Sequence, residues 1–209
     1  MTVTAVEEYI KGKYKIYLND EFAFVLYKGE LRKTGIELFA ELEESKIEEI
    51  IENIVYKRAI LRAMNLLKNR DYTERSLRRK LKEGLYTDEV IERALGYVKS
   101  YGYIDDCRYA RNYIRNNVKL RSRKEICLKL LEKGISSEII DLAFEEENDE
   151  DTGEGETDLM RRLLMKKCRS TDATDPAGRR KILSYMYAKG FSMDKTERLL
   201  DEVLLDITS

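Results

Sequence analysis

The sequence predicts a mainly α-helical protein made of tandem three-helix repeats, helix-turn-helix-like, in an elongated array behind a small N-terminal antiparallel β meander. Three observations support this fold class. Residues up to about position 27 alternate like strands, later apolar residues recur at helical spacing, and one apolar pattern occurs three times. A chain of 209 residues is long enough for one or two domains.

The first 27 residues carry the strand signals. Tyr14, Ile16 and Leu18 alternate with Lys13, Lys15 and Tyr17, which is the two-residue period of a half-buried strand. Lys11-Gly12 and Asn19-Asp20 are turn sequences on either side, and residues 22–27 form an apolar run of strand length. Three strands are too few to be stable alone, so we expect the meander to pack on the helices that follow.

A linking helix follows the meander. Ser45 and Glu48 have the spacing of a capping box, which predicts a helix start at Ser45. Helical spacing of apolar residues then continues, so that this helix either runs on or bends into Arg58–Asn69, the first helix of repeat one. The predicted domains are residues 1–56 for the meander and linking helix, 57–104 for repeat one, 105–147 for repeat two, 148–158 for an acidic linker and 159–209 for repeat three.

The repeats are recognised by positions that keep the same spacing in three copies. Read in order, these positions are Leu77, Leu81, Tyr86 and Thr87, then Ile126, Leu130, Ile135 and Ser136, then Ile182, Met186, Phe191 and Ser192. Two or three unrelated helical hairpins would share periodicity by chance, but unchanged spacings in all three copies favour a true repeat.

Helix-start signals support the same boundaries. Thr73 and Thr87 are predicted N-caps in repeat one, and Ser122 with Glu125 has capping-box spacing in repeat two. In repeat three, Asp175 precedes the chain's single proline, which fits an N-cap followed by proline at the first helical position.

Composition argues against catalysis. The chain has no histidine, which removes the commonest general base and metal ligand, and it has no glycine-rich phosphate loop. We therefore predict no enzyme activity, no catalytic residues, no metal and no cofactor, although a site built from carboxylates alone stays open. Cys107, Cys127 and Cys168 are isolated and odd in number, as expected of reduced thiols in a cytoplasmic protein. No apolar run reaches about 18 residues, and no signal peptide is apparent.

Charge is distributed unevenly along the chain. Residues 57–144 carry 21 Lys and Arg against 12 Asp and Glu, a net charge of +9, and residues 159–209 carry 11 against 7, or +4. Residues 1–56 have a net charge of −5. Residues 145–158 carry nine acids, no bases and two glycines, which predicts a mobile acidic linker that hinges repeat three.

The basic residues cluster on the second helix of each repeat and on the helix before it in repeat two. The candidates for partner binding are Arg75, Arg78, Arg79, Lys82, Arg111, Arg115, Lys119, Arg121, Arg123, Lys124, Arg179 and Arg180. Arg75, Lys124 and Arg180 align across the three copies. Such a face would bind phosphates with little sequence specificity, or an acidic protein surface. The alternative for any single residue is an ordinary solvated helix face.

The chain resembles the RecX family of bacterial regulators of the recombinase RecA. The resemblance lies in the segment Leu67-Lys-Asn-Arg-Asp-Tyr-Thr-Glu-Arg-Ser-Leu-Arg-Arg-Lys-Leu81, in Gly102-Tyr-Ile-Asp-Asp-Cys-Arg-Tyr-Ala110 and in the threefold pattern. The acidic segment at Glu145–Asp158 departs from the family pattern. The resemblance implies a protein that lies in the groove of the RecA–single-strand-DNA filament, touches more than one RecA subunit, lowers ATP hydrolysis and strand exchange, and limits filament growth. Roles in recombination, DNA repair and the SOS response follow from the same resemblance.

Two other classes of function compete with a RecA regulator. An autonomous DNA-binding protein of tandem helix-turn-helix-like units would bind duplex DNA tightly without a recombinase. A plain helical scaffold would bind neither DNA nor RecA. We predict a monomer whose partner is the RecA filament, with single- or double-stranded DNA as a further candidate.

Overall fold

The computed structural model describes residues 1–147 and 152–208, which form two compact units, Met1–Asp105 and Asp106–Ser209. The strands are β1 (Val3–Ile10), β2 (Lys13–Leu18) and β3 (Glu21–Tyr27). The helices of the first unit are α1 (Lys28–Thr34), α2 (Glu44–Ile50), α3 (Lys57–Asn69), α4 (Glu74–Lys82) and α5 (Asp88–Ser100). Those of the second are α6 (Asp106–Asn117), α7 (Arg123–Glu132), α8 (Ser137–Glu147), α9 (Thr152–Cys168), α10 (Pro176–Ala188) and α11 (Met193–Thr208).

The predicted three-strand meander is confirmed. The strands pair antiparallel in the order β1-β2-β3, with Val6 opposite Ile16 and Ile16 opposite Phe24. Asn19 and Asp20 have φ values of 49° and 68°, the left-handed pair that a tight hairpin turn between right-twisted strands requires. Alternation places Ile16 and Phe24 in the core, where each exposes at most 1% of its surface.

The linking helix is continuous with repeat one. α2 passes through a π-helical turn at Ile51–Tyr56 directly into α3, and the residues at both junctions keep right-handed helical angles. The predicted capping box at Ser45 is wrong. Glu43 is the N-cap, with φ −68° and ψ 148°, and the helix begins before Ser45. The Ser45 hydroxyl, inside the first turn, lies 3.4 Å from the Glu43 carboxylate.

One arginine joins the meander to the first repeat. The Arg58 guanidinium on α3 lies 4.4 Å from the ring centre of Tyr27 and 5.7 Å from that of Tyr86. It donates a 2.7 Å hydrogen bond to the Val25 carbonyl and forms an ion pair with Glu30. A single side chain therefore connects β3, α1 and the turn between α4 and α5.

The repeated apolar positions are core positions in every copy. Leu77 in α4, Ile126 in α7 and Ile182 in α10 are each 0% exposed, so the predicted three-helix repeats are confirmed. The described residues of repeats two and three form separate hydrophobic clusters, whereas repeat one shares its cluster with the strands.

The turn between the second and third helices of each repeat uses a left-handed residue at the same position. Gly134 and Gly190 have φ values of 86° and 94°. The equivalent residue in repeat one is Leu85, with φ 58°, although a side chain in this conformation costs about 1–2 kcal/mol. The left-handed backbone conformation is therefore kept in all three repeats, although the residue type is not.

Helices extend into the predicted acidic segment, residues 145–158, from both sides. Glu145–Glu147 complete α8, and residues 152–158 already belong to α9; residues 148–151 of the predicted linker lie outside the described part of the chain. Glu156 lies 3.9 Å from the Lys195 ammonium of α11. Within the described ranges, no helix is long and apolar enough to cross a membrane.

Candidate partner-binding surface

The second helix of repeat one presents two cations to solvent. α4 starts at Thr73, whose hydroxyl accepts a 3.2 Å hydrogen bond from the Ser76 amide. Burial of Leu77 and Leu81 fixes which face of α4 points inward. Arg75 and Arg79 consequently lie exposed, and neither forms an ion pair within the residues that the structure describes.

The other two predicted cations of α4 are neutralised inside repeat one. Arg78 forms an ion pair with Glu74 at 3.1 Å and a bidentate ion pair with Glu92 of α5. The Lys82 ammonium lies 3.1 Å from the Asp88 carboxylate. Their charges hold α4 against α5, and they offer less to a partner than Arg75 and Arg79.

The basic edge on α6 is also neutralised. Arg111 lies 2.8 Å from Glu146, and Arg115 lies 2.7 Å from Glu147. Both carboxylates come from the end of α8, which the sequence analysis assigned to the acidic region. The acids that were predicted to form a free linker therefore cancel part of the predicted binding face.

In α7, each of the two predicted cations rests on an aromatic ring. Arg123 lies 3.4 Å from Asp141 and 4.3 Å from the ring centre of Phe144. Lys124 is exposed and has its ammonium 6.0 Å from the ring centre of Tyr187, a weak cation–π distance. The stem of Lys124 also lies against Gly190, where an added Cβ would come within 2.6 Å of it.

The remaining predicted residues lie before α7 and on α10. Arg121 donates a 3.1 Å hydrogen bond to Asn117, and the Lys119 carbonyl accepts one from Arg162. Arg179 pairs with Asp201 at 2.7 Å, and this hydrogen bond raises the pKa of Arg179 above its ordinary value. Arg180 is exposed.

The three aligned cations share one property that the paired cations beside them lack. Across residues 1–147 and 152–208, no ion pair is found for Arg75, Lys124 or Arg180, whereas the nearby Arg78 and Arg179 are paired. We name Arg75, Arg79, Lys124 and Arg180 the unpaired cations. A cation that is not paired with an internal carboxylate keeps its full charge for an external one.

Family models identify the repeats. The model described as RecX, first three-helix domain, matches residues 59–97, the second-domain model matches residues 105–143, and the third-domain model matches residues 154–200. Together these matches cover more than half of the chain. The chain belongs to the RecX family.

Related proteins extend the match to the N-terminal region. The regulatory protein RecX of Clostridium acetobutylicum is 27% identical over 209 residues, which cover 97% of this chain and 96% of that protein. The one from Caldanaerobacter subterraneus is 28% identical over 191 residues, or 91% and 93% of the two chains. A crystal structure of a regulatory protein RecX matches with a TM-score of 0.66 and 27% identity, over 96% of this chain and 98% of that one. Because these relatives are named regulatory protein RecX, this RecX-family chain is assigned a regulatory role.

One aromatic feature of this RecX-family chain is not predicted by the sequence patterns. Tyr97, Tyr101 and Tyr103 form an exposed row of rings, with centres 4.9 and 6.1 Å apart. The four-residue spacing of the first two was visible in the sequence, but their exposure depends on which face of α5 the core takes.

Two of the three thiols, Cys127 and Cys168, are partly buried. Burial raises the pKa of the Cys127 thiol and that of the Cys168 thiol, which disfavours the reactive thiolate. In the described part of the chain, no group of three or more Cys, Asp or Glu side chains is arranged to hold a metal ion.

Proposed function

We propose that this protein binds the RecA–DNA filament and lowers RecA's ATP hydrolysis, strand exchange and filament growth in recombination and DNA repair. The family supports the choice of partner, because full-length relatives are named regulatory protein RecX. The structural support is the set of unpaired cations, three of which recur at one position of a repeated unit.

A filament that carries DNA offers phosphates at regular spacing. Lys and Arg side chains that contact phosphates position a protein on nucleic acid and add affinity without reading sequence. The exposed Arg75 and Arg79 lie one turn apart on the outer face of α4, so both can meet the same acidic surface.

Internal ion pairs argue for a filament partner over autonomous duplex binding. Arg78, Arg111, Arg115 and Arg179 already face carboxylates within 3.1 Å or less, so each must give up a partner to meet a phosphate. Proteins that bind duplex DNA strongly through charge make about 6–10 phosphate contacts. On the predicted face, the four unpaired cations fit a surface where protein contacts supply the remaining affinity.

The test is RecA's DNA-dependent ATPase at substoichiometric amounts of this protein. The variant Arg75→Glu/Arg79→Glu/Arg180→Glu should inhibit at least about tenfold less well than wild type, because several charge contacts are reversed together. Lys124 is left unchanged, since its stem packs on Gly190. The matched control reverses the exposed Lys11, Lys28 and Lys68, which gives the same change in net charge.

Comparing the two triple variants distinguishes the effect of where the reversed charges lie from the effect of the change in net charge. The control should inhibit as wild type does, and both variants should keep the wild-type circular dichroism spectrum, because exposed substitutions change stability by within about 0.5 kcal/mol each. Equal inhibition by both triple variants would remove the unpaired cations from the binding surface. Tight duplex binding by the wild type without RecA would favour the autonomous DNA-binding function instead.

A further inference from the structure

The first unit carries an exposed aromatic surface at the end of α5. Tyr97, Tyr101 and Tyr103 expose 36%, 62% and 46% of their surfaces. The Tyr101 and Tyr103 rings are nearly parallel, with 20° between their planes, and a side-chain hydrogen bond to Tyr101 raises the pKa of Tyr97. The rings therefore support one another as an ordered row.

The aromatic surface continues along α5 toward its start. Arg93, one turn before Tyr97, places its guanidinium 4.3 Å from the ring centre of Tyr56. The same guanidinium forms a 2.5 Å ion pair with Glu52. Arg93 is thus held flat on a ring by a carboxylate, which makes it part of the aromatic surface rather than a free charge.

A helix position without a side chain, Gly96, precedes Tyr97 of this row. Gly96 is exposed in the interior of α5, and a Cβ added there would meet nothing within 4 Å. Glycine weakens a helix interior relative to alanine. The fold has no steric need for glycine here, and a side chain at this position would be met by anything that approaches from outside.

Charge around the row is balanced internally. The Lys99 ammonium pairs with Glu74 at 2.5 Å, and Glu92 pairs with Arg78 of α4. Both cations of α5, Arg93 and Lys99, are therefore paired with carboxylates. The neighbouring helix α4 has the opposite character, because Arg75 and Arg79 are unpaired.

We propose that Tyr97, Tyr101 and Tyr103, together with Gly96, form a docking site for an uncharged, apolar protein surface whose backbone comes close to Gly96. We name these four residues the tyrosine patch. Exposed tyrosines with a balanced charge are typical of the centre of a protein interface, where aromatic side chains supply most of the binding energy. The inference rests on the proposed function and assigns this site to the RecA protein of the filament, while the unpaired cations meet its acidic and phosphate groups.

The test measures binding to RecA filaments assembled on single-stranded DNA with a non-hydrolysable ATP analogue. Tyr101→Ser should weaken binding about tenfold or more, with an unchanged dependence on salt. Its matched control is Leu61→Ser, which removes an apolar side chain that is 61% exposed on α3 of the same unit. The control should bind as wild type does.

Gly96→Ala is a second test, in which stability and filament binding should change in opposite directions. The substitution should raise the melting temperature, because alanine favours the helix and its Cβ meets nothing, and it should nevertheless weaken binding severalfold. Gly29→Ala is the control, since Gly29 also lies in a helix with nothing within 4 Å of an added Cβ. Gly29→Ala should leave binding unchanged.

The outcomes separate this inference from the proposed function. If wild type binds the filaments while Tyr101→Ser and Gly96→Ala bind equally well, the tyrosine patch is an ordinary solvated surface and the inference is wrong. A melting temperature of Gly96→Ala below that of wild type would also overturn it, since the fold would then need the glycine. If wild type does not bind RecA filaments at all, the proposed function fails and this partner assignment fails with it.

Discussion

Arg58 shows how one residue couples two parts of a unit. Its side chain is 15% exposed and lies between two tyrosine rings, with a carboxylate and a carbonyl as partners. Tyr86, one of these rings, has its pKa raised by burial. The contacts join residues 28 and 33 positions apart, so no local pattern in the sequence could reveal them.

Arg58→Met keeps the length of the stem and removes the guanidinium. We expect the free energy of unfolding to fall by about 3 kcal/mol, since the change leaves the half-buried Glu30 carboxylate without its cation, with the Tyr27 amide still donating to it. Arg62→Met on the exposed side of the same helix is the control and should stay within about 0.5 kcal/mol of wild type. Urea denaturation followed by circular dichroism measures both. Equal stabilities would show that Arg58 is a solvated cation.

At the scale of single helices, the spacing of apolar residues predicted the buried faces, whereas the charge pattern did not predict the ion pairs. The apolar positions of α4, α7 and α10 could be read from the sequence because four-residue spacing fixes one face of a helix. The ion pairs could not, because Arg111 and Glu146 are 35 residues apart and meet only after α6 and α8 pack. For the same reason, the predicted binding face was larger than the set of unpaired cations.

Residues 145–147 and 152–158 of the acidic segment were wrongly predicted as linker for a related reason. Its composition is typical of a linker, but composition does not show whether individual carboxylates find partners. Glu147 is only 13% exposed at its side chain and is paired with Arg115. Glu147 before the undescribed residues 148–151 and Glu156 after them both form ion pairs.

The two predicted caps of repeat one differ in a way that can be measured. Thr73 accepts a hydrogen bond from the first turn of α4 and is 1% exposed, so Thr73→Ala should lower stability by about 1 kcal/mol. Thr87 occupies the N-cap of α5, but among the described residues its hydroxyl makes no capping hydrogen bond. Thr87→Ala should therefore change stability by less than about 0.5 kcal/mol. Equal losses in urea denaturation would mean that Thr87 caps α5 in solution.

At the scale of the whole molecule, the boundary between compact units differs from the boundaries of charge. The sequence places one basic block at residues 57–144, whereas the units divide at Asp105 and Asp106. Hydrophobic packing sets the units: the strands and repeat one share a cluster that includes Phe24, Leu77 and Ile104. The N-terminal meander is thus part of the core of repeat one rather than an appended domain.

This shared core predicts that residues 1–105 fold alone. The fragment retains every buried residue of the cluster, so it should show the helical circular dichroism of α2–α5 and a single cooperative transition in urea. The fragment 57–105 is the comparison, because it keeps the three helices of repeat one and loses the strands. Without Val3, Ile16 and Phe24, each at most 1% exposed, its apolar face would lie open to water. It should unfold at lower urea or aggregate. Equal stability of the two fragments would mean that the meander contributes nothing to the core, and the interpretation of the first unit as one folding body would then be wrong.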